Sequence, residues 1–131
     1  MSVRMLTAPL ILLVIGVAAR AADPGDAAAG KAYFSQTCMQ CHTADPAEGG
    51  GEIGPSLVGL YGRTAGVGDD RFAYSAALKG SKLVWNQETL DHFLTDPATT
   101  VPGTTMAVPV PMKADRDNLI AYFRSLSSGT K

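Results

Sequence analysis

Apolar residues recur at helical spacing in several stretches of this chain, and no run alternates as a strand does. The last stretch is the clearest. Leu119, Phe123 and Leu126 share one face, broadened by Ile120 and Tyr122, which predicts a helix from about Ala114 to Ser127. Leu90, Phe93 and Leu94 form a second stripe, and Asn86 stands ready to cap a helix over Gln87–Thr95. A third helix is expected from about Gly25 to Cys38, capped by Asp26 and followed by three alanines. Gly30 falls inside it, where glycine costs about 1 kcal/mol relative to alanine. A close helix crossing there would explain it, with Phe34 one turn on along the same face.

Between these helices the pattern breaks. Residues 44–72 carry Gly49-Gly50-Gly51, Gly54-Pro55, Gly62, Gly66 and Gly68 and read as one long loop. A loop of that length in a small domain is functional or packed on something. A short helix is expected near Tyr74–Gly80. The segment from Asp96-Pro97 to Pro111 reads as extended and proline-rich. The fold class is therefore all-α with long loops.

The first 21 residues change the picture of the whole. Arg4, the apolar run Ala8–Ala19 and the Ala19-Arg20-Ala21 site fit a secretory signal peptide, leaving residues 22–131 as one domain. The apolar run is short for a membrane span, and a retained anchor is the competing reading. Arg4 and Arg20 would leave with the leader, so nine basic residues would face twelve acidic ones. No basic patch interleaved with aromatics points to nucleic acid. Export implies a bacterial periplasm.

Chemistry enters at Cys38-Met39-Gln40-Cys41-His42. Two thiols on one turn, with a histidine directly after, fit covalent attachment of a c-type haem, His42 supplying an imidazole to the iron. The pentapeptide also admits a Cys38–Cys41 disulfide, a thioredoxin-type redox pair or part of a zinc site. The redox pair should follow a strand, and zinc needs at least three protein ligands. A haem electron carrier usually takes a second iron ligand. Met106 and Met112 are the candidates, Met39 lies too close to the attachment point, and His92 is a weaker rival.

Several motifs in one order extend the signal beyond the pentapeptide. They are Gly25-Asp26 with Gly30-Lys31 and Phe34, Gly54-Pro55-Ser56-Leu57, and Gly59-Leu60-Tyr61-Gly62-Arg63. Phe72-Ala73-Tyr74-Ser75, Trp85, Glu88-Thr89-Leu90, Pro102-Gly103-Thr104-Thr105-Met106 and Leu119-Ile120-Ala121-Tyr122 follow. From about Gly25 to Leu126 the chain resembles the class I cytochromes c, of the mitochondrial type and its soluble bacterial relatives. The resemblance implies a small monohaem fold whose first and last helices cross, Gly30 and Phe34 meeting the last helix near Leu119 and Tyr122. It implies one haem c held by Cys38 and Cys41, with His42 and Met106 on the iron. It gives Pro55 the role of accepting a hydrogen bond from His42. Arg63, Tyr74, Trp85 and Thr104 would hold the haem propionates.

The departures from the family pattern are specific. The stretch from His42 to Pro55 is one residue longer, and that from Met106 to Arg116 one shorter. Phe93 replaces a tyrosine and Leu78 a polar residue, which makes the pocket more apolar. Thr37, Ala98, Thr99 and Thr105 stand where the mitochondrial type carries docking lysines, with Lys82 and Lys113 left nearby. The function implied is one-electron transfer by a monomer, not an enzyme. Its donor would be a dehydrogenase or membrane reductase, and its acceptor an oxidase, reductase or peroxidase. A dedicated subunit of a periplasmic dehydrogenase and a gas-binding or peroxidatic haem protein are the alternatives.

Overall fold

The computed structural model describes residues 25–47 and 53–128. The expected leader and Gly49-Gly50-Gly51 lie outside the described residues. Among the described residues five α-helices follow in order: α1 Ala27–Tyr33, α2 Ala76–Ser81, α3 Gln87–Thr95, α4 Pro97–Thr100 and α5 Lys113–Ser128. Among the described residues, β pairing is confined to one antiparallel bridge, Thr64 with Val84.

Asp26 caps α1 as expected, accepting from the Ala28 and Ala29 amides at 2.8 and 3.4 Å. A helix of seven residues is marginal alone. Its stability comes from α5, which it crosses at Gly30. A Cβ on Gly30 would run into the Asn118 backbone and lie 2.9 Å from the Tyr122 Cβ. The absent side chain is what allows the approach. Phe34 then packs on Tyr122 and edge-on to Phe123, with ring centroids 5.6 and 6.2 Å apart. Leu119 and Ile120 are fully buried at the same seam.

The first helix does not run regularly to Cys38. It widens into a π-helical turn over Phe34–Cys38, closed by the Met39 amide on the Phe34 carbonyl at 3.0 Å. Such wide turns occur frequently at functional sites. This one delivers the chain to the cysteine pair.

α3 carries its predicted cap. Asn86 accepts from the Thr89 amide, and the Thr89 hydroxyl accepts from the Asn86 amide, both at 2.9 Å. Leu90, Phe93 and Leu94 are its buried face. The stretch from Asp96 to Pro111 is not wholly extended. Asp96 accepts from the Thr99 amide at 3.1 Å and Pro97 takes the first turn of α4. An aspartate cap followed by proline is a helix start, and here it wins over proline's extended tendency.

Candidate cofactor site

The loops between α1 and α5 enclose a cavity of about 380 Å³, within the roughly 300–1,000 Å³ of cofactor pockets. Its lining is mostly apolar and includes Leu57, Leu60, Leu78, Trp85, Leu90 and Phe93. The nine residues that the resemblance assigns to the haem and its iron line it as well, namely Cys38, Cys41, His42, Pro55, Arg63, Tyr74, Trp85, Thr104 and Met106.

The π-helical turn places Cys38 and Cys41 on the cavity wall, both half-buried and both free. Burial, and then the neighbouring Cys41, push the Cys38 thiol up to about 11. It is therefore a neutral thiol near pH 7. After Cys38 the chain turns tightly, with the Cys41 and His42 amides donating to the Cys38 carbonyl at 3.1 and 2.9 Å. That turn brings His42 to the cavity.

The His42 ring is fixed from one side. Its Nδ1 lies 2.9 Å from the Pro55 carbonyl oxygen, which can only accept, so Nδ1 carries the proton in this bond. Nε2 is left as the lone-pair nitrogen. Burial lowers the ring's pKa and the bond to Pro55 partly offsets that. Gly54 makes room for the ring: a Cβ there would sit 2.7 Å from both His42 Cε1 and Nδ1.

The two ends of the segment 64–84, which contains α2, meet at the bridge. The Trp85 amide donates to the Arg63 carbonyl at 2.9 Å and the Ala65 amide to the Leu83 carbonyl at 2.8 Å. Arg63 and Trp85 are thereby neighbours at the cavity. Arg63 donates from Nη1 to the Val58 carbonyl at 3.0 Å and from Nη2 to the Ser56 carbonyl at 3.3 Å. Its buried Nε finds no partner among the described residues. A buried, unsatisfied cationic donor beside an apolar cavity fits an anionic group on a bound molecule. The Tyr74 hydroxyl donates to the Val67 carbonyl at 3.1 Å, and burial raises its pKa most, with Arg63 pulling the other way.

Met106 is half-buried against the core, its amide 3.4 Å from the Thr104 hydroxyl. The rival methionines are elsewhere: Met39 and Met112 are exposed and outside the lining. His92 is exposed on α3 and does not reach the cavity. Phe93 and Leu78, the two apolar replacements, do line it. Among the described residues, no three His, Cys, Asp or Glu side chains gather as a metal site.

Two charged residues near the site escaped the sequence. Arg116 is 7% exposed and donates to Asp91 Oδ1 at 2.7 Å and to the Val110 and Pro111 carbonyls at 2.9 and 2.8 Å. Its one signal was its place on the apolar face of α5, a turn before Leu119 and Ile120. Asp69, also 7% exposed, accepts from the Ser56 amide at 2.8 Å and had no signal in its glycine-rich loop.

Comparison with known proteins agrees with this geometry. The family model described as "Cytochrome c" matches residues 27–127. Cytochrome c of Tetrahymena pyriformis is 44% identical over 103 residues, covering 78% of this chain and 90% of that protein. Cytochrome c2 of Rhodoblastus acidophilus is 44% identical over 99 residues, covering 75% and 90%. Among solved structures, cytochrome cH from Methylobacterium extorquens superposes with a TM-score of 0.70 at 43% identity, covering 77% of this chain and 99% of that one. With its thiol pair, fixed histidine and apolar cavity, the chain belongs to the cytochrome c family of haem electron carriers, one haem c being attached through Cys38 and Cys41.

Proposed function

We propose that this protein is an exported, monomeric one-electron carrier whose iron is ligated by His42 and Met106. The observation that carries the reading is the His42–Pro55 bond, which leaves Nε2 as the only ring nitrogen with a lone pair, on the wall of the cavity that Met106 also lines. When bound, the haem supplies a one-electron couple at its iron.

The rest of the work belongs to the chain. Pro55 holds the imidazole's orientation and strengthens it as a donor. Met106 offers a soft thioether, a ligand that raises the potential. Arg63 would offer its unpaired Nε to the propionates, with Tyr74, Trp85 and Thr104 completing the polar end. Tyr74 keeps its proton, since burial raises its pKa, and can turn that proton from Val67 to a carboxylate. Phe93 and Leu78 keep water out. With His42 and Met106 both offered to the iron, little would need to rearrange between redox states, and electron transfer would ask no residue to make or break a covalent bond.

The donor is a dehydrogenase or membrane reductase, and the acceptor an oxidase, reductase or peroxidase. No helix among the described residues is long and apolar enough to cross a membrane. Thr37, Ala98, Thr99 and Thr105 are exposed and uncharged, which supports docking with little electrostatic steering. Electron-transfer rates should therefore change little with salt; a steep fall on adding salt would contradict this.

The ligand assignment is tested by the optical spectrum of the oxidised holoprotein. The weak red band of methionine-ligated ferric haem should vanish in Met106→Ala and persist in Met112→Ala. Its survival in Met106→Ala would overturn the assignment.

A further inference from the structure

One peptide group joins His42 to a buried acid. The Pro55 carbonyl faces His42 Nδ1 at 2.9 Å. The N–H of that same peptide group, on Ser56, donates to Asp69 Oδ2 at 2.8 Å. The other oxygen of Asp69 accepts from the Arg71 amide at 3.1 Å. Two oxygens that both accept from N–H groups match an ionised carboxylate. Its side chain is only 4% exposed, while the Arg71 Nε stands 4.0 Å off on a side chain that is 73% exposed. The neighbouring peptide is held as well, Arg63 Nη2 donating to the Ser56 carbonyl at 3.3 Å.

An amide is a resonance unit. Negative charge at its N–H end moves electron density toward its oxygen, and hydrogen bonds in such a chain strengthen one another by about 10–30% each. A more negative Pro55 oxygen pulls harder on the Nδ1 proton. Nε2 then becomes a stronger donor. Stronger donation favours the ferric state. We propose that Asp69 is a positioning residue that acts on His42 through the Pro55–Ser56 peptide and lowers the reduction potential of the haem. This rests on His42 being an iron ligand.

The test compares midpoint potentials of the holoprotein, Asp69→Asn and Asp70→Asn. Asp70 is exposed on the same loop, so its variant removes an equal formal charge without touching the relay. In Asp69→Asn the ratio of reduced to oxidised protein at a fixed poise should rise about tenfold, about 59 mV for one electron. In Asp70→Asn it should change by no more than about twofold, because solvent screens that charge. Equal shifts in the two variants, or none in Asp69→Asn, would overturn the relay.

Histidine labelled with nitrogen-15 separates the two claims. A paramagnetically shifted His42 ring beside an unmoved potential overturns the relay alone. An unshifted His42 ring in the oxidised wild type overturns the ligation and the relay together. If Asp69→Asn does not assemble, the reduced wild type decides. An NMR coupling across the hydrogen bond from the Ser56 nitrogen to the Asp69 carboxylate carbon supports the proposal. Its absence, with fast exchange of the Ser56 amide, refutes it.

Discussion

The segments that carry His42 and Met106 are held in opposite ways. On the histidine side, bonds reach the ring itself: Pro55 fixes Nδ1, Gly54 closes against the ring, and the Leu57 amide donates to the Thr43 carbonyl at 2.8 Å. On the methionine side the loop is anchored at its ends. Val101 and Val110 are buried, the Val110 amide donates to the Leu94 carbonyl at 2.7 Å, and Arg116 grips Val110 and Pro111. Between those anchors Thr105, Ala107, Val108 and Pro109 are exposed. A ligand fixed on its own ring tolerates local motion of the chain. A ligand slung between two anchors depends on both, so the methionine side should be the first to give way.

The largest expected effect comes from removing an anchor. Arg116→Ala breaks a largely buried ion pair with Asp91 and orphans two carbonyls, and should destabilise the holoprotein by about 3 kcal/mol. Denaturant titration measures it, and the red band of methionine ligation should fade before helicity does. Loss of under about 1 kcal/mol would mean the loop is held elsewhere.

Next is a wedge on the other side. Gly54→Ala sets a Cβ against the His42 ring and should cost about 1–3 kcal/mol by overpacking. Here the histidine signature should change while the methionine band survives. If both ligands respond together, the two sides are not independent.

The smallest effect is a pH dependence. Hydrogen bonds from Thr99 hold the Asp96 carboxyl below its ordinary value, so its contribution to α4 is full above the usual aspartate range and fades as pH falls through the lowered one. Acid titration of Asp96→Asn should therefore show a flatter loss of the methionine band than wild type. Identical profiles would remove Asp96 from the account.

Legibility in the sequence followed the same division. Local signals worked: two helix caps, the stripes of α3 and α5, Gly30 and the cysteine–histidine spacing each state their chemistry within a few residues. The π-helical turn was not legible, because it trades one hydrogen-bond register for another without a marker residue. Asp96-Pro97 did spell a helix start, but the prolines that follow outweighed it. Asp69 and Arg116 were hidden for a different reason. Charged side chains default to solvent, and their burial is set by partners 13 and 25 residues away, Ser56 and Asp91, that only the fold brings near.

The Asp26 amide donates to Asn118 Oδ1 at 2.7 Å across 92 residues of chain, beside the crossing at Gly30. Closing a loop of that size costs about 4 kcal/mol of chain entropy. Every cavity-lining residue but Phe123 lies inside that loop. The contact thus works as a clasp, and α1 cannot fray on its own without opening it. A seven-residue helix that would melt in isolation inherits the lifetime of the whole molecule.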